Sequence, residues 1–173
     1  MAAAMMTWGC EAPNAAEQRA SHLTTEEVMD MPLEEDIRRV AALYPSVNPW
    51  IYTDDRSRVR GVILSGLYLA GPEQLGVFGD GIIRPRVYVL DTDKKNPKPP
   101  QLVKEWSFDP EQALPFRSKR RKMVGYGYRF HLFWGDEIDL AGKDIRVTVV
   151  FERRDGTLIH SGQKEFRVPG GGR

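Results

Sequence analysis

At 173 residues, with 28% charged and 41% hydrophobic side chains, the chain suits one domain with a modest appendage and is too apolar to stay disordered. No run of eighteen apolar residues occurs, which excludes a hydrophobic membrane-spanning helix, and a single cysteine excludes an internal disulfide or a cysteine-based metal cluster. The net charge of +1 hides a division, since residues 1–55 hold ten acidic and three basic side chains and residues 56–173 hold fourteen acidic and twenty-two basic. An acidic segment beside a mildly basic domain is implied, the acid either exposed to water or docked on that domain.

Cys10 ends a short, uncharged, mostly apolar stretch behind the small Gly9, and a polar segment rich in Ala, Glu, Asn and Gln follows. Bacterial lipoprotein signals place a lipid-modified cysteine in such a setting. The stretch is short, lacks a preceding base and has Trp8 where a small residue is usual, so an incidental cysteine in a disordered leader is the other reading. Residues 1–22 read as a leader or tether without a core-forming pattern. Thr24-Thr25-Glu26-Glu27-Val28 is a helix start signal, with Thr as cap and acid in the first turn. Leu33, Ile37, Val40, Ala41 and Tyr44 then recur at helical spacing, and Pro45 stops the run, so an amphipathic helical segment is expected over 23–45. Asn48-Pro49-Trp50 reads as an extended linker.

From Arg58 the pattern changes to strands. Val59, Ile63, Leu67 and Leu69 lie on one parity and Val62, Leu64 and Tyr68 on the other, which fits either a covered central strand or a bulge at Gly61 or Gly66. Residues 82–91 form a second strand that Pro85 would demote to an edge or a bulged position. Leu102, Lys104, Trp106 and Phe108 suggest a third, and residues 110–122 read as a long polar excursion. The clearest stretch is 124–168. Val124, Tyr126, Tyr128, Phe130, Leu132 and Trp134 alternate with more polar residues, as do Ile145, Val147, Val149 and Phe151. Asp155-Gly156 predicts a type I′ hairpin, because both central residues of that turn need positive φ. The return strand is interrupted at Ser161-Gly162, a candidate bulge. Six or seven strands over 58–169 and no helix-period segment among them predict an all-β antiparallel sandwich.

Chemistry is sparse. His22, His131 and His160 have no metal-ligand spacing, no serine sits in a nucleophile elbow, and Gly76–Gly81 reads as a turn rather than a phosphate loop. No catalytic residue and no cofactor is expected. Asp91 and Asp93 imitate the first and third places of a calcium loop, but Lys95 stands at the fifth, leaving weak calcium binding or a solvated turn. The sharpest surface feature is Arg117, Lys119, Arg120, Arg121 and Lys122, five cations in six residues, read as a solvated loop or an anion-binding one for lipid headgroups, acidic polysaccharide or nucleic acid. Tyr126 and Tyr128 follow at strand spacing, which points to core packing rather than base stacking, so nucleic acid is not the favoured partner.

Gly125-Tyr126-Gly127-Tyr128, Trp134, Phe151-Glu152-Arg153-Arg154-Asp155-Gly156 and the closing Val168-Pro169 resemble the β-domain of uncharacterised bacterial envelope lipoproteins. That resemblance implies an immunoglobulin-like or fibronectin-type sandwich on a lipid-anchored tail, in the cell envelope or secreted, and brings no activity with it. Two functions are carried forward. One is a non-enzymatic structural or interaction protein of the envelope, touching membrane only through a lipid at Cys10, with an unknown protein or envelope polymer as partner. The other is a soluble, otherwise cytoplasmic, module using 117–122 for an anionic polymer.

Overall fold

The computed structural model describes residues 25–53, 58–91, 95, 98–121 and 123–170. Its centre is built by the two stretches with the clearest alternation. Tyr128, Phe130 and Leu132 point inward from β8 (Gly125–Phe133), followed by Trp134, each at 1% exposure or less. Ile145, Val147, Val149 and Phe151 point inward from β9 (Asp144–Arg153) at 0%. The two strands belong to different sheets, and the inward sets enclose one dry core. Phe78, Tyr128, Phe130, Phe108 and Phe116 run through it with neighbouring ring centroids 4.7–6.0 Å apart.

The first sheet has the order β1 (Arg39–Leu43), β3 (Val59–Ala70), β8, β7 (Arg117–Arg121). Here β2 (Trp50–Tyr52) adds to β3, and the two-residue β4 (Gly76–Val77) is wedged between β3 and β8. In the second sheet β6 (Gln101–Glu105), β5 (Gly81–Val89) and β9 are neighbours, and β10 (Leu158–His160) and β11 (Lys164–Arg167) share the far edge of β9. All pairings of named strands are antiparallel except the single parallel contact of Gly76 with Gly125. The described residues thus form an all-β, two-sheet sandwich. Its eleven strands exceed the six or seven expected over 58–169, because β1 and β2 precede residue 58, β4 and β7 form where a turn and a loop were expected, and the return strand is split.

Bulges account for both the split and the mixed parity of β3. Core-facing positions move from Val59 to Val62 and Leu64, then to Leu67 and Leu69. At the first change β2 advances one residue while β3 advances two, and at the second β8 advances two while β3 advances three. Each extra residue turns the strand over, so apolar residues serve one face from both parities. Likewise, four steps from His160 to Lys164 oppose three from Val150 to Val147. Ser161 fills that bulge: its amide donates to the Val149 carbonyl at 2.8 Å and its hydroxyl accepts from the Val149 amide at 2.9 Å.

Several local expectations are corrected. Residues 33–44 are not helical. A single-turn helix, α1 (Thr25–Met29), is followed by extended chain and β1, whose residues pair with Gly66–Ala70. Val40 and Ala42 also satisfy a period of two, and a strand that completes a sheet edge outcompetes a short helix that is marginal in water. Nor is 48–50 a linker: Trp50 is buried and begins β2, so the first sheet starts well before residue 58. The excursion 110–122 contains a one-turn helix, α2 (Pro110–Ala113), with a capping box between Asp109 and Gln112, then a 3-10 turn and β7. Pro85 sits inside β5, which β6 and β9 flank. Its carbonyl accepts from Trp106 just beyond the end of β6, so the missing N–H falls in a gap of the ladder. The β9–β10 turn is not type I′, since Gly156 alone has positive φ, at 82°. Gly156 donates to the Arg153 carbonyl and Arg153 to the Thr157 carbonyl, both at 2.9 Å; this is a tight turn closed by a glycine bulge.

On the outer face of the first sheet, Tyr68 is 6% exposed although it faces away from the core cluster. Its ring lies against Gly66, Gly76 and Gly127, where an added Cβ would come within 2.7–2.9 Å of ring carbons. Gly125 (φ 82°) packs on the backbone of Gly76, with room for a Cβ only 2.5 Å from the Gly76 nitrogen and oxygen. The Gly-Tyr-Gly-Tyr spacing is thereby explained: tyrosines go inward and glycines let β4 and Tyr68 close up outside.

Candidate functional site

Arg117–Arg121, which hold four cations of the run, form an edge strand rather than a loop, and those cations do different things. Arg117 turns back under α1. Its Nη1 lies 3.2, 2.6 and 3.0 Å from the carbonyl oxygens of Val28, Met29 and Met31, and its guanidinium stands 4.3 Å from the centre of the Phe78 ring. Burial pulls its pKa down, while nearby Tyr128 and Asp30 oppose that shift. Arg117 is therefore a fastening for the end of α1 rather than an anion ligand. Lys119 and Arg121 are exposed. The Arg120 side chain and Lys122 lie outside the described residues. Cations along an edge strand also discourage pairing with another chain.

Among the described residues the acidic N-terminal segment meets the basic part of the chain at Asp36, while Glu26, Glu27, Asp30 and Glu35 are exposed. Asp36 receives Arg38, at 2.6 Å, and Arg153 from β9, at 3.1 Å. The hydrogen bond from Arg38 is the main cause that holds its carboxyl below the ordinary range. Asp80, only 8% exposed, is met by Arg154 at 2.7 Å. The Asp36–Arg153 pair thus joins the acidic segment to β9, whereas Asp80–Arg154 lies within the basic part of the chain.

Among the concave surfaces of the described residues, two bring aromatic or hydroxyl side chains together with cations. One is a cleft of about 620 Å³ where the β1–β2 connection meets β11. Phe166 stands edge-on to Tyr44 and Trp50 there, at 5.2 and 5.6 Å, with Lys164 and Arg167 also in the lining. The Tyr44 hydroxyl is buried without a hydrogen-bond partner among the described residues, and burial raises its pKa. The other lies on the outer face of the second sheet, which carries a lattice of ion pairs. Arg84 meets Glu152 at 2.7 Å, Arg86 meets Glu105, and Arg146 meets Glu165 at 2.8 Å. Within the lattice is a hollow of about 250 Å³ lined by Arg86, Tyr88, Arg146, Thr148, His160 and Gln163, with Val150 and Pro100. Apart from His160, nothing in the sequence singles out this group. Arg84, Arg86 and Tyr88 alternate outward on one strand and Arg146 and Thr148 on another, but only the pairing of β5 with β9 reveals that they share a patch.

The remaining candidates do not converge. His131 is exposed on β8 in the first sheet and His160 on β10 in the second. Among the described residues no group of three or more His, Cys, Asp or Glu could hold a metal ion. Asp91 accepts from the Lys98 amide at 3.3 Å; Asp93 lies outside the described residues, as do Cys10 and His22. No described helix is long and apolar enough to cross a membrane. No protein-family model matches the chain, and no curated protein or solved structure matches it significantly.

Proposed function

We propose that the chain is a non-enzymatic interaction or structural module of the cell envelope, an immunoglobulin-like sandwich carried on a tether that is lipid-modified at Cys10. The strand order supports the fold reading. Taking β1, β3, β5, β6, β7, β8, β9 and β10/β11 as strands A, B, C, C′, D, E, F and G, one sheet reads A-B-E-D and the other G-F-C-C′, the arrangement of immunoglobulin-type domains. The inter-sheet disulfide of antibody domains has no counterpart, since the chain has one cysteine; Leu64 and Phe151 on β3 and β9 belong instead to an all-apolar interior. The fold by itself carries no activity, and the interaction reading is supported by the strands and loops that the sandwich leaves exposed. The address rests on the setting of Cys10 and on the resemblance of the β-domain to envelope lipoproteins.

The test is mass spectrometry and fractionation of the chain expressed in bacteria with its full upstream region. A diacylglyceryl mass on Cys10 in the membrane fraction is the expected result. An unmodified Cys10 in the cytoplasm overturns the address. The second reading, a soluble module using the basic strand, is favoured by the exposure of Lys119 and Arg121 and weakened by the commitment of Arg117 to α1.

A further inference from the structure

We infer that the hollow on the outer face of the second sheet binds a tetrahedral oxyanion of the phosphate monoester class. Strand pairing determines what meets there. Arg86 on β5 stands directly opposite Thr148 on β9, Tyr88 opposite Arg146, and His160 on β10 opposite Val150. Thr148 and Val150, 9% and 1% exposed, form the floor. The one-residue bulge between β10 and β11 brings Gln163 into the wall.

The chemistry of the lining is one-sided. Two arginines, a histidine, a glutamine, a threonine and a tyrosine line the space, and among the described residues no carboxylate lines it. Arg86 gives its Nε to Glu105 on β6, and Arg146 gives Nε and Nη2 to Glu165 on β11. Each carboxylate grips its arginine from the flanking strand, and Arg86 is also hydrogen-bonded to Tyr88 beside it; the N–H groups of the two forks that these contacts do not use are left for a ligand. A planar guanidinium held in this way presents paired donors to phosphate oxygens without first losing side-chain freedom. Donors from floor and walls suit an anion with oxygens in several directions. The volume, about 250 Å³, is below the roughly 300–1,000 Å³ of pockets that enclose drug-sized ligands, so the site takes a charged group and leaves the remainder of its carrier outside. Because Glu105 and Glu165 offset the arginine charges, recognition rests on donor geometry more than on net field. The assignment goes beyond the envelope reading and holds whether or not Cys10 is lipidated, so failure of one leaves the other in place.

The experiment is an amide and histidine-ring NMR titration of the full chain with inorganic phosphate, and in parallel with glycerol phosphate, against sodium chloride at matched ionic strength. Saturable shifts at Thr148, His160 and Gln163 with both phosphates are expected, with Arg86→Gln and Arg146→Gln each weakening binding roughly tenfold. Tighter binding of glycerol phosphate identifies a substituted phosphate as the natural group, and equal binding identifies the free ion; either supports the site. An equal response to chloride overturns it, as do shifts centred on Lys119 and Arg121 or wild-type affinity in Arg146→Gln. The wild-type shift map decides the matter even if an arginine variant does not fold.

Discussion

Replacement of Arg117 by methionine separates a structural cation from a functional one. The native side chain sets one nitrogen among three carbonyl oxygens, those of Val28, Met29 and Met31, at 2.6–3.2 Å. A hydrogen bond from a charged donor is worth roughly 1.5–3 kcal/mol, and a single Nη1 has only two hydrogens, so three contacts amount to at most two such bonds. Methionine keeps a favourable contact with the Phe78 ring and relieves the buried guanidinium of its desolvation. The net loss should be about 2–3 kcal/mol, which for a chain of this size lowers Tm by roughly 4–12 °C. Thermal unfolding read by near-ultraviolet circular dichroism gives the total, and hydrogen exchange locates it: faster exchange over 25–34 and in β7, with β5 and β9 unchanged. Lysine should fall between, since it keeps the charge but not the fork. An unaltered Tm with α1 still protected in Arg117→Met would refute the reasoning and return Arg117 to the pool of candidate anion ligands.

Other outcomes follow from the same geometry. Gly125 and Gly156 both have φ of 82°, but a Cβ at 125 meets the Gly76 backbone at 2.5 Å and one at 156 meets nothing within 4 Å. Gly156→Ala should cost only the left-handed backbone term, about 1–2 kcal/mol, and Gly125→Ala clearly more, as compared by urea midpoints; equal costs would contradict the close approach of β4 and β8. Tyr128 titrates at 10.0 in the unfolded reference, and burial pushes it up to about 12 in the fold, against the Gly79 hydrogen bond and Arg117. The folded chain then holds the proton more tightly, so this contribution is complete below pH 10 and declines as pH rises to about 12, by roughly 2–3 kcal/mol. Tyr128→Phe should remove it from a stability–pH series, leaving the share of Tyr44, whose shift has the same sign. Charge reversal at Lys119 and Arg121 should flatten any salt dependence of polyanion binding by roughly 0.9 in log K per log salt for each lost phosphate contact. Binding with an unchanged slope would take the basic strand out of consideration.

The residues that spoke most clearly in the sequence are those whose partners lie in the adjoining strand or whose pattern is long. Tyr128 to Trp134 and Ile145 to Phe151 alternate over enough positions to fix both period and buried face. Val40 to Tyr44 do not, because so short an apolar run fits a helix or a strand, and the choice is made by Gly66–Ala70 elsewhere in the chain. The mixed parity of β3 left a bulge at Gly61 or Gly66 as one of two readings, and both regions are bulged. Arg117 shows why a charge run cannot be read as a unit: which cation is tied down depends on α1, almost ninety positions earlier. The oxyanion hollow was illegible for the same reason, since five strands that are scattered in sequence contribute to it or hold its arginines.

Tyr68 carries a consequence for how the first sheet survives water. A single flat ring resting on three glycines does for the outside of β3, β4 and β8 what a covering helix does in layered proteins: it shields main-chain pairs that would otherwise be wetted. Amides beneath it should exchange as slowly as core amides even though, among the described residues, no third layer covers that side. Exchanging the ring for a small side chain would strip this roof and expose one glycine on each of three adjacent strands, a patch of bare backbone on which another extended chain could settle.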